Sequence, residues 1–315
     1  MNLAAVYSQV AAQAGSPGRW DLPSSPWADM LPVTFPADPQ PGAYLLPEDV
    51  YHADPLRDHG GSANASTLRN ILAPGCPELV KYEREHPPQK GCWDVGTVTH
   101  TMTLGTGPEI VEVRYCSWQY KDAKAEREAA RERGAVALLT KDLQACEEMA
   151  AAVRKHHLAG GLLRIPGASE TTLVWRERIP GTDREVWARG MADRHPDPGV
   201  VAILGDLKTT TGTLDTVSLQ KKAWDLGYHQ AAEWYGRGYR AVHGARLEAF
   251  WLLFVRKEPP HLVHVVELDD DLLARARARN DEALQVWDEC MRTGVWPGPG
   301  SDEEPTLVGA PGWVR

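Results

Sequence analysis

Val200-Val-Ala-Ile-Leu-Gly-Asp-Leu-Lys-Thr-Thr210 is an aliphatic, β-branched run that turns polar at its end, with Pro198-Gly199 before it and Thr211-Gly212 after it. It is too short for a good helix, and its composition and flanking turn residues predict a buried strand. On a strand, Asp206 and Lys208 share one face while Leu207 points to the other. Burial makes such polar residues costly unless they are paired or put to use. That face therefore reads as a site. Upstream, Arg189-Gly-Met-Ala-Asp193 ends what reads as a neighbouring strand, and the turn around His195-Pro-Asp-Pro-Gly199 makes a hairpin of the two. The hairpin would set Asp193 beside Asp206, so that two carboxylates and a lysine converge.

Metal-assisted phosphodiester hydrolysis needs such a set. Magnesium is a hard ion that takes oxygen ligands in an octahedron, commonly one or two carboxylates, with positions left for water and phosphate. Asp193 and Asp206 suit that role. Lys208 cannot ligate while protonated, but it can lie beside an attacking water or hold a non-bridging phosphate oxygen as charge builds. An exposed hairpin carrying same-face charges would also read as a bare D-x-K, so the surroundings decide between the two.

Those surroundings are Glu170, then Asp193, then Asp206-Leu-Lys208-Thr-Thr, then Tyr228-His-Gln230-Ala-Ala-Glu-Trp-Tyr235. In this order they resemble the PD-(D/E)xK nuclease superfamily, and within it the branch of RecE-type exonucleases (exodeoxyribonuclease VIII-like), RecB nuclease domains and Cas4. Gly96-Thr-Val-Thr-His100 resembles the G-x-x-x-H element of that branch, and Asn64-Ala-Ser66-Thr-Leu68 followed by Pro77 its entry helix. The chain lacks the Pro before the first Asp, a common departure in this branch.

The resemblance implies a mixed α/β fold of the restriction-endonuclease type, a central mixed sheet flanked by helices. It implies magnesium, with manganese as a substitute, held by Asp193, Asp206 and the backbone carbonyl of Leu207, with Lys208 assisting the attacking water. Glu170 and His100 would complete or orient a second metal site. Gln230 would contact phosphate or position the lysine, with Tyr235 or Tyr228 beside it and Thr209 as a further phosphate contact. The implied activity is 5′ to 3′ digestion of duplex DNA from an end, preparing strands for recombination by single-strand annealing. Double-stranded DNA ends, a homo-oligomer that encircles DNA as a ring, and a single-strand annealing protein are the implied partners. A structure- or sequence-selective endonuclease on the same fold, and a catalytically silent DNA-associated module, stand as alternatives.

The chain of 315 residues is long enough for an ample core. Its net charge of −9 is the wrong sign for a protein that coats DNA by general electrostatics. An enzyme that grips a few phosphates in a local channel tolerates it better, because local clusters matter more than the total. Five cysteines with no C-x-x-C pair fit reduced thiols in a cytoplasm. Several relatives hold an iron–sulfur cluster on one early cysteine and a close C-terminal trio. Here Cys290 stands alone in the C-terminal half, so no cluster is expected. No run approaches the length of a membrane span and no basic, apolar leader opens the chain, so a soluble cytoplasmic protein without membrane contact is expected.

Residues 1–47 are Pro-rich and read as an N-terminal arm, in which Trp20 and Trp27 are expected to dock on the body. Residues 48–295 read as the nuclease domain, and 296–315 as an irregular tail. Within the domain, helices are predicted near 64–72, 77–85, 92–104, 121–134, 142–157, 213–238 and 272–292. Strands are predicted at 109–116, 169–177, 249–255 and 261–267, besides the central hairpin. Acidic residues 269–271 read as a helix N-terminus rather than a calcium loop.

Overall fold

The computed structural model describes residues 22–86 and 94–300, with 305, 307 and 309. Residues 1–21, most of 301–315, Trp20 and the start of the helix expected from residue 92 lie outside the described residues. The strands are β1 (Gly42–Tyr44), β2 (Ser62–Ala63), β3 (Ile110–Val113), β4 (Val136–Leu139), β5 (Gly167–Arg178), β6 (Glu185–Pro196), β7 (Ile203–Thr210), β8 (Ala249–Arg256) and β9 (Val263–Glu267). The α-helices are α1 (Pro26–Asp29), α2 (Glu48–His52), α3 (Ala65–Ile71), α4 (Pro77–Glu85), α5 (Asp94–Leu104), α6 (Lys121–Glu132), α7 (Thr140–Lys155), α8 (His157–Arg164), α9 (Thr216–Asp225), α10 (Tyr228–His243) and α11 (Asp270–Thr293).

The main sheet is mixed and runs β1-β5-β6-β7-β8-β9, with β2 pairing onto β6. β5, β6 and β7 are antiparallel neighbours, whereas β7 and β8 are parallel. A parallel pair needs a crossover, and α9 with α10 supplies it. β7 and β8 are buried on both faces, which is why the run from Ala249 to Val255 is apolar without alternation. One face carries Leu204, Leu252 and Phe254 under Leu219, Trp234, Leu284 and Trp287 from the helices of the C-terminal half. The other carries Ile203, Leu207, Trp251 and Leu253 under Val98, Met149, Val153 and Leu162. Helices thus cover both sides of one sheet.

Capping sets several boundaries. The Asn64 side chain accepts from Thr67 N at 2.9 Å to start α3, and Asp269 accepts from Leu272 N at 2.8 Å to start α11. The helical region after β7 is two helices, because Gly227 adopts a left-handed φ of 68° between them. Strand β4, not expected from the sequence, pairs in parallel with β3 as a separate two-stranded sheet. Part of the Pro-rich segment joins the fold: β1 pairs antiparallel with β5, and the Trp27 ring lies 4.6 Å from that of His195.

Candidate active site

β6 and β7 are hydrogen-bonded through the single register pair Arg194↔Gly205 and then part. Beyond that point the Leu207 N–H finds no backbone acceptor on β6 and instead donates to Asp193 Oδ2 at 2.7 Å. A side chain fills the gap in the ladder, as buried backbone donors require. Asp206 and Lys208 project beyond Leu204 from the same face of β7, and Lys208 Nζ lies 2.7 Å from Asp206 Oδ2. The hairpin thus gathers Asp193, Asp206 and Lys208 as the sequence predicts.

Glu170 enters from β5. The ladder pairs Ser169 with Arg194 and Thr171 with Ala192, so Glu170 stands in register opposite Asp193. It skips the ladder because its φ is 51°, a left-handed conformation that costs a non-glycine residue about 1–2 kcal/mol. Two like charges across a strand pair repel. His100 lies between them, its Nε2 2.7 Å from Asp193 Oδ2 and its Nδ1 3.6 Å from Glu170 Oε1. Thr106 Oγ1 donates to Glu170 Oε2 at 3.5 Å.

His100 is carried by α5, one turn after Gly96. A Cβ at position 96 would meet Thr209 Oγ1 at 3.4 Å, an ordinary contact, so this face of the helix lies directly against the end of β7. The spacing of four then puts His100 on the same helix face.

The charges are coupled. Burial works to lower the His100 pKa, but the charge and hydrogen bond of Asp193, with those of Glu170, override it and raise the group to about 10. Burial pushes Asp193 up, but His100, Lys208 and the Leu207 N–H outweigh it and hold the carboxyl below its ordinary value. Asp206 goes the other way: burial dominates, Asp193 adds repulsion, and the group rises to about 6 despite Lys208. For Lys208, Asp206 and Asp193 overcome burial and raise the ammonium above its ordinary value.

These residues line one cleft of about 630 Å³, together with Tyr51, Met191, Thr209, Tyr228, Tyr235 and Lys257. The Tyr228 ring lies 5.4 Å from Lys208 Nζ, and Tyr235 stacks on Phe250 at 5.4 Å. Gln230 is a correction. It is 1% exposed and its Nε2 donates to Asn280 Oδ1 at 3.1 Å, so it ties α10 to α11 and does not reach the cleft. Helical geometry is the reason: Gln230 sits about 200° around α10 from Tyr228, which does face the site. Sequence reasoning missed Thr106, Tyr51 and Lys257. Lys257 had a signal, because it follows the buried strand parallel to β7, and its N–H donates to Thr210 O at 2.8 Å.

Asp193, Asp206 and the Leu207 carbonyl form a hard, oxygen-rich donor set, which fits a small divalent cation. Among the described residues, no three His, Cys, Asp or Glu side chains form a ready-made metal cage. The carboxylates are turned instead to His100, the Leu207 N–H and Lys208.

Residues 79–303 match the family model described as a PDDEXK-like domain of unknown function (DUF3799). Among solved structures, the chain is similar to a protein from Eubacterium rectale provisionally assigned as an exonuclease. The TM-score is 0.52 at 14% identity, over 77% of this chain and 86% of that one, a likeness of fold. No curated protein matches in sequence. With most of its length under the family model, and with its site built on the fold's central hairpin, the chain belongs to the PDDEXK-like family DUF3799, within the PD-(D/E)xK nuclease superfamily.

Proposed function

We propose that the protein is a magnesium-dependent deoxyribonuclease of RecE type, an exonuclease that resects linear duplex DNA 5′ to 3′ for recombination by single-strand annealing. The convergence of Asp193, Asp206 and Lys208 in one cleft, with His100 bridging toward Glu170, carries this reading. Asp193, Asp206 and the Leu207 carbonyl would hold magnesium, or manganese in its place. When bound, the ion supplies an activated water and neutralises the leaving oxygen.

The chain's own residues do the rest. Lys208 stays protonated beside the carboxylates and meets the negative charge that builds on the phosphoryl oxygens. His100 holds Asp193 and Glu170 at a fixed separation and offsets their repulsion. Thr209, Tyr228, Tyr235 and Lys257 line the cleft where the phosphates on either side of the scissile bond would lie. A ring-shaped homo-oligomer and a single-strand annealing partner accord with an enzyme that resects long ends. Among the described residues no helix is long and apolar enough to cross a membrane.

The test compares linear duplex DNA labelled at the 5′ or the 3′ end with a closed circle of the same sequence, in magnesium and in chelator. Magnesium-dependent loss of the linear DNA, with the 5′ label released first and the circle spared, is expected. Cutting of the circle would identify an endonuclease, and no cleavage by the parent would leave a silent DNA-associated module.

A further inference from the structure

One turn before α10, whose first residue Tyr228 lines the cleft, α9 ends in an aromatic ring that no part of the proposed chemistry uses. Trp224 is 51% exposed, yet it is held in place. Its ring lies nearly parallel to that of His229, 9° apart with centroids at 4.8 Å. His229 is itself 2% exposed, and its Nδ1–H donates to Ala223 O at 2.8 Å. One face of the indole is therefore fixed against a rigid, buried partner while much of the ring meets solvent. Exposing a large apolar ring is unfavourable, and holding it still removes the entropy that would offset the exposure. A flat ligand stacking on such a ring loses little freedom in doing so.

Charge decides which ligand. Arg69 lies over the turn between the ring and Tyr228: it donates to Leu226 O at 3.0 Å, its side chain packs against Gly227, and its charge also acts on Tyr228 inside the cleft. Its other hydrogen bond goes to Asn70 Oδ1, so both acceptors are neutral. Lys222 likewise donates to the neutral Thr210 Oγ1 at 2.6 Å and Thr211 O at 2.9 Å. A second cavity, which shares Glu48, Pro108 and Glu170 with the cleft, has Asp29 and Asp49 on its walls, and the guanidinium of Arg194 there is spent on the carbonyls of Pro23, Leu163 and Ile165. A polyanion is disfavoured along those acidic walls and favoured beside Arg69 and Lys222.

We propose that Trp224 and Arg69 form a nucleotide subsite outside the catalytic cleft, in which a base of the bound DNA strand stacks on the indole and its phosphate meets the guanidinium. This rests on the nuclease reading and extends it, making Trp224 a positioning residue that acts on binding and not on the bond being broken. Stacking on a single aromatic side chain changes affinity by about 5- to 150-fold.

The test is Trp224→Ala beside Trp224→Phe, each assayed on linear DNA and on bis(p-nitrophenyl) phosphate, a phosphodiester without a base. Trp224→Ala is expected to raise KM for DNA within that range with kcat nearly unchanged, Trp224→Phe to restore most of the loss, and both to hydrolyse the small diester like the parent. An unchanged KM for DNA overturns the proposal. So does a parallel loss on the small diester, or a changed oligomeric state in light scattering with DNA affinity intact, which would make the ring a contact between copies. If the parent cleaves neither substrate, the nuclease reading fails by itself. Binding of a fluorescein-labelled single strand in calcium then decides: weaker binding by Trp224→Ala upholds the subsite, and equal binding refutes it.

Discussion

Gln230→Ala separates a structural role from a catalytic one at a residue where the sequence pattern and the fold point in different directions. The Gln230 side chain is buried, and its amide is the donor to Asn280 Oδ1. Asn280 in turn donates to Gln230 O at 3.0 Å and Glu233 Oε2 at 2.8 Å. Truncation leaves the Asn280 oxygen buried without its donor, at about 1–3 kcal/mol, and removes one packed methylene worth about 0.8 kcal/mol. The expected loss is about 3 kcal/mol of folding stability, read by urea denaturation. In a double-mutant cycle with Asn280→Ala, the pair should couple by about 1 kcal/mol. Turnover of DNA at a temperature where both proteins are folded should change less than about twofold, since nothing in the cleft moves. A fall in kcat of two orders of magnitude with stability unchanged would refute this reasoning and return Gln230 to the catalytic set.

Lys208→Ala should lower kcat by about 100- to 1000-fold, the scale for removing an electrostatic catalytic group, with magnesium affinity retained in calorimetry. Weakened metal binding with ordinary turnover would reverse the roles of Lys208 and the carboxylates. Asp206→Asn should abolish cleavage with the circular dichroism spectrum unchanged, and surviving activity would displace Asp206 from the site. Glu170→Gly should relieve the left-handed strain and stabilise the fold by about 1 kcal/mol, while any activity that depends on the carboxylate is lost; destabilisation would show that the Glu170 contacts outweigh its backbone cost. His243 is pushed down to about 4 by burial, below the value near 6.5 of an unfolded chain. Its contribution to stability is therefore full above pH 6.5 and is lost as the pH falls toward 4. Acidification from pH 7 to pH 4.5 should cost about 2 kcal/mol through this group, and His243→Gln should flatten the profile; equal slopes in denaturant titrations would contradict it.

The central hairpin was legible because burial and period leave few readings of a short aliphatic run that ends in Asp-x-Lys. The geometry of Glu170 was not. Its place at the start of a strand can be read, but its left-handed backbone is imposed by the strands around it, and no residue type there announces it. His100 could be placed from Gly96 and the helical spacing of four. Gln230 shows the converse: a residue pattern marks neighbours on a helix, whereas the rotation of α10 decides which of them meets the cleft. Strand β4 escaped notice because a four-residue run between two helices carries too little periodicity to separate it from a helix start.

The parting of β6 and β7 has a consequence for how this protein can vary. A sheet gains most when adjacent strands stay zipped, yet here the site exists because they do not, and the Asp193 carboxylate stands in for the missing backbone acceptor of Leu207. Substitutions that favour regular pairing at Glu170, Asp193 or Leu207 would make a more regular sheet and a weaker catalyst. Selection for thermal stability alone should drift toward closing this gap, so variants screened without a nuclease assay would be expected to grow more robust as they fall silent.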